Sequence, residues 1–71
     1  MERTFRINGI DYTFIEELMQ GAEVVVVRYT ENGESWANWS AEAPMPTNEE
    51  EAEIALAEFG WATVDHTVAD A

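Results

Sequence analysis

Apolar and polar positions alternate with period two along the first part of the chain. Phe5, Ile7, Ile10, Tyr12 and Phe14 fall on one side, and Thr4, Arg6, Asp11 and Thr13 on the other, provided Asn8-Gly9 is a two-residue turn. Asn-Gly accepts the positive φ angles of a type I′ turn, whose twist matches the strands it joins. The pattern predicts a β-hairpin over residues 3–15. Residues 16–22 are ambiguous, either prolonging the second strand or forming a short turn, with Gln20-Gly21 favouring a reversal.

Residues 23–30 predict the clearest strand, since Val24-Val25-Val26-Val27 is short, apolar and β-branched. An unbroken run of this kind suits a central strand covered on both faces for part of its length. A second Asn-Gly turn, Asn32-Gly33, leads into residues 35–41, where Trp36, Asn38 and Ser40 oppose Ala37 and Trp39. Residues 23–41 thus predict a second hairpin, closed by Pro44-Met45-Pro46, because proline cannot donate to a ladder. A helix over 48–59 follows. Thr47 and Glu50 predict a capping box, and Ala52, Ala55, Leu56 and Phe59, with Ile54 nearby, recur at helical spacing as its buried stripe. Gly60 reads as the C-cap, and residues 61–71 as a last strand (61–68) or a tail. The predicted fold class is α+β: a single domain with a four-stranded, or five-stranded, antiparallel sheet and one amphipathic helix on one face.

Charge changes this picture most. The 71 residues carry fifteen acids against three arginines and no lysine, a net charge of −12. Solubility needs only about 2–8 charges on a small domain, and more than that makes a compact state repel itself. Acidic disordered segments are poor in aromatic residues, whereas 11% of this chain is aromatic and 46% hydrophobic, which predicts a folded domain. The absence of cysteine removes disulfides and thiolate zinc sites and favours a reducing compartment, the cytoplasm. The MERTFRI start lacks a signal-peptide core, and no apolar run approaches a membrane span. Anionic lipid and nucleic acid would both repel such a surface, so neither is an expected direct partner.

Catalytic signatures are missing. His66, the single histidine, adjoins Asp65, but neighbours in a strand point apart and make no relay. Ser35 and Ser40 have no nucleophile-elbow pattern around them. The acids lack EF-hand spacing, and Glu31, Asn32 and Glu34 sit in a hairpin too tight to wrap an ion. The expectation is no enzyme, no cofactor and no dedicated metal site. A base-stacking role for Trp36 and Trp39 would require a positive groove that this composition does not supply; they read as core residues on opposite faces, one of them exposed enough to touch a partner protein.

The spacing of the acids is the remaining signal. Glu49, Glu50, Glu51, Glu53 and Glu58 share the predicted helix and span about 13.5 Å, or roughly one charge per 3 Å of axis. A single DNA strand carries about one per 3.4 Å. Glu49 and Glu53 are i,i+4 neighbours of like charge, which destabilises a helix, and no lysine is interleaved to relieve them. An array that costs stability points to a role outside folding. The alternative is a soluble domain with a generally acidic surface, as in a protein adapted to high salt.

In size, charge, lack of lysine and aromatic content the whole chain resembles the small acidic DNA-mimic proteins of phages and mobile elements, the anti-CRISPR and antirestriction proteins. That resemblance implies an inhibitor in the cytoplasm of a bacterial host that places carboxylates in the cationic DNA-binding groove of a CRISPR effector complex, foremost a type I complex, or of another basic nucleic-acid-binding protein. The mimic role would fall on Glu49, Glu50, Glu51, Glu53 and Glu58 with Glu31, Glu34 and Glu42, and Trp36 would add an apolar partner contact. An antitoxin or immunity-type inhibitor of a basic nuclease would use the same electrostatics. An acidic adaptor would instead anchor through Trp36 or Trp39.

Overall fold

Backbone geometry at three dipeptides sets the architecture. In the computed structural model, which describes residues 1–63, Asn8-Gly9 and Asn32-Gly33 hold φ of 52° and 81° and of 53° and 80°, the both-positive pattern of type I′ turns. Gln20-Gly21 does the same with φ of 52° and 83°. These turns join β1 (Glu2–Ile7), β2 (Ile10–Met19), β3 (Ala22–Glu31) and β4 (Glu34–Ser40) into a continuous antiparallel meander. The ambiguous segment 16–22 is therefore the end of β2 and a third tight turn. Helix α1 (Glu49–Glu58) follows, and β5 (Ala62–Thr63) pairs antiparallel with β4, giving a five-stranded sheet in the order β1-β2-β3-β4-β5. The fold is α+β. The expected strand over 61–68 is seen only as Ala62–Thr63; its remainder, with Asp65 and His66, lies outside the described residues.

The register confirms the period-two reading. Phe5 opposes Tyr12, Arg3 opposes Phe14 and Phe14 opposes Val27, so these side chains share the helix side of the sheet. There Ile7, Phe14, Val25, Val27 and Ala52 form the core, with Phe5, Tyr12, Tyr29, Met45, Leu56 and Trp61 packed against it. Phe14 is fully buried, with ring centroids 6.0 Å from Phe5 and 6.3 Å from Trp61. Trp61 also donates its indole N–H to the Ala55 carbonyl at 3.2 Å, which ties the end of α1 to this aromatic cluster. On the opposite side Val24, Val26 and Ala37 are buried as well, Val26 lying between half-buried Ile15 and Trp39 in the ladder. All four valines are buried, as a central strand covered on both faces requires.

Local corrections concern the helix and its approach. The N-cap is Asn48, not Thr47: its Oδ1 accepts from the Glu51 N–H at 2.8 Å, while the Glu51 carboxylate, not that of Glu50, accepts from the Thr47 N–H at 3.0 Å. Asparagine outranks threonine as an N-cap, which moves the start by one residue. The C-cap is extended Phe59, not Gly60, and Gly60 has no positive φ. Ile54, expected near the buried stripe, is 45% exposed; the surface facing the sheet is mainly Ala52 and Ala55, whose small side chains let the helix lie close to it. Strand β4 ends at Ser40, before the prolines, because the Ser40 hydroxyl accepts from the N–H groups of Glu42 and Ala43 and turns the chain. Asn48→Ala should cost about 1 kcal/mol, read as a lower denaturant midpoint with an unchanged slope.

Candidate functional site

Helix α1 is anchored at its entry, where an Arg3 guanidinium N–H donates to the Pro46 carbonyl at 3.0 Å, and at its exit by Trp61. With 3.6 residues per turn, Glu49, Glu53, Glu50, Glu58 and Glu51 fan across an arc of about 200° opposite Ala52 and Ala55. All five are exposed. The helix thus presents a convex anionic rod, and the first three glutamates also lie at the positive end of its dipole. Glu51 is partly committed to the cap. Glu49, Glu50, Glu53 and Glu58 have no ion-pair partner among the described residues.

None of the three arginines makes an ion pair with the helix glutamates among the described residues. Arg6 pairs with Asp11 at 3.2 Å on the first hairpin, Arg28 lies 3.8 Å from Glu17 on the side of the sheet away from the helix, and Arg3 holds Pro46. None neutralises the helix array.

The other expected contact residues do not join the helix in one patch. Glu31 and Glu34 face each other across the Asn32-Gly33 hairpin, a like-charge pair that weakens the strand end carrying it. Glu42 lies past the opposite end of β4. Trp36 is half-buried on the helix side of the sheet, opposite Tyr29, and Trp39 is half-buried on the other side, opposite Val26. The Glu31 carboxylate acts locally. Burial first, then Glu31 and Tyr29, push the Tyr12 phenol above its ordinary value of 10.0, and the two tyrosine rings lie 4.9 Å apart. The folded protein then keeps a proton that the unfolded chain has lost, so this contribution to stability is complete below pH 10.0 and falls away as pH rises through the raised value. In a Tyr29→Phe background, Glu31→Gln should lower the tyrosinate titration measured by ultraviolet absorbance.

Sequence reasoning overlooked a second group of acids. Glu16, Glu17 and Glu23 line a groove of about 520 Å³ together with Leu18, Val24, Val25, Ala41, Ala43 and Met45. The signal was present: continuing the β2 alternation through Gln20-Gly21 sets Glu16 opposite Val25 and Leu18 opposite Glu23. Among the described residues, no cluster of histidine, cysteine or carboxylate side chains could hold a metal, and no helix is long and apolar enough to cross a membrane. No protein-family model matches the chain, and no curated protein or solved structure is significantly similar to it, so the functional reading rests on the chemistry of these surfaces.

Proposed function

We propose that this protein is a nucleic-acid-mimicking inhibitor, an anti-CRISPR that offers the glutamates of α1 to the cationic DNA-binding groove of a CRISPR effector complex and blocks target DNA. The observation that carries this reading is the fan of exposed glutamates on a helix anchored at both ends, with no arginine ion-paired to them among the described residues. A net charge of −12 steers a basic partner from a distance, raising the association rate. At close range, arginine forks that hold phosphate oxygens would close on carboxylates in the same bidentate geometry. The anchored helix reduces the ordering cost of docking, because its glutamates already stand along a fixed axis. The inhibitor works in the cytoplasm of a bacterial host and needs no cofactor. Occlusion requires no bond to be made or broken.

Antirestriction and nuclease-inhibitor roles share this mechanism and differ in the partner. The deciding experiment captures proteins from bacterial lysate on the immobilised chain and elutes first with duplex DNA, then with salt. The reading predicts a basic nucleic-acid-binding complex released by DNA, whose composition separates an effector complex from a restriction enzyme or a toxin. A captured partner indifferent to excess DNA would refute mimicry.

A further inference from the structure

The groove at the Gln20-Gly21 end of the sheet differs in kind from the helix array. On the helix side of the sheet its floor is apolar, with Val25 and Ala43 buried and Met45 half-buried. Its rim carries carboxylates, and Leu18 stands beside it 73% exposed. Glu16 and Glu23 are diagonal neighbours on the same face of β2 and β3, a spacing of roughly 7–8 Å along the backbone that two glutamate side chains can span to reach one shared cation. Neither has an ion-pair partner among the described residues, whereas Glu17 is shared with Arg28.

From this arrangement we infer that the groove binds a single arginine side chain presented by a protein partner. The methylene stem covers Leu18, Val25 and Met45, and the guanidinium sits between the Glu16 and Glu23 carboxylates. Charge complementarity selects a cation, and the apolar floor selects one with a long aliphatic stem. The guanidinium is also more weakly hydrated than an ammonium and can bond two carboxylates from a rigid fork, so arginine is preferred to lysine. The inference rests on the inhibitor reading only for who supplies the arginine. In that setting the helix array gives long-range attraction, and the groove gives one short-range anchor that separates the right basic partner from any other.

The test is an amide-resolved NMR titration of the full chain with N-acetyl-arginine methylamide, alongside the neutral citrulline analogue and the lysine analogue. Saturable shifts should centre on Leu18, Glu23, Val25 and Ala43. The Glu16→Gln/Glu23→Gln double variant, both positions being exposed, should keep a dispersed spectrum and bind about tenfold more weakly or worse. Citrulline should bind as poorly, and lysine less tightly than arginine. Non-saturating shifts spread equally along Glu49–Glu58, an unchanged double variant, or equal binding of the lysine analogue would each overturn the proposal. The helix takes no part in this titration, so failure of the DNA-mimic reading would leave its result unchanged, and failure here would leave the helix array untouched.

Discussion

Phe14→Ala is expected to leave most of the protein unfolded at room temperature. Phe14 is fully buried between Phe5 and Trp61, and through Trp61 it supports the exit of the helix. Replacing a buried phenylalanine by alanine costs about 3–5 kcal/mol, because the lost transfer energy is compounded by the cavity left behind. A core of this size rarely supplies more than about 3–5 kcal/mol in total. Self-repulsion at −12 narrows that margin further. Circular dichroism should show loss of the cooperative transition, with partial recovery at high salt, where repulsion is screened. A transition displaced by less than about 1 kcal/mol would mean that the Phe14 cluster is not the centre of the core.

The second large effect is functional. Reversing Glu49, Glu50 and Glu53 to lysine adds two charges at each position, so the net charge moves from −12 to −6. Partner binding should fall by at least about a hundredfold, because removing one member of a close, hydrogen-bonded charge pair at an interface costs about 2–5 kcal/mol. Lysines in the first turn also oppose the helix dipole by about 0.3–1 kcal/mol each, so the corresponding triple glutamine variant is the control for folding. Glu53→Lys alone separates the two roles. Glu53 repels Glu49 at i,i+4 and Glu50 at i,i+3, and lysine there turns both interactions attractive, which should stabilise the protein by about 0.5–1 kcal/mol. A more stable protein that binds its partner less well shows that the array is held against the interest of folding. If Glu53→Lys gains stability and loses no inhibition, the array is only a solvated surface.

Much of the fold was legible because its determinants are local. The alternation of Phe5, Ile7, Ile10, Tyr12 and Phe14 has one reading around an Asn-Gly turn, and both Asn-Gly turns form. Gln20-Gly21 was harder, since glutamine seldom takes a φ of 52° and only the pairing of β2 with β3 forces it to. The helix was visible from its alanine and leucine spacing, yet its cap slipped by one residue because Thr47 and Asn48 are both able caps and each has a glutamate three residues on. Ile54 misled for a related reason: helical spacing alone does not tell a buried side from a half-covered one when alanines face the sheet.

Of the candidate site, the helix glutamates were legible and the rest was not. Five acids on one helix are neighbours by sequence, so their exposure follows once Ala52 and Ala55 face the sheet. Glu31, Glu34 and Glu42 were grouped with them by charge alone, and the meander sends them to different ends of β4. The groove could not be read from any single stretch, because Glu16, Glu23 and Ala43 meet only after β2 and β3 pair and the Ser40 turn redirects the chain. Sequence supplies the charges, and topology decides which of them share a surface.

The most direct measurement is whether the captured partner can hold this protein and duplex DNA at once. With fluorescent DNA bound to the purified partner, rising concentrations of the protein should displace it completely, and the triple lysine variant should not. A stable ternary complex, in which DNA and protein sit on the partner together at saturating concentrations of both, would contradict the account.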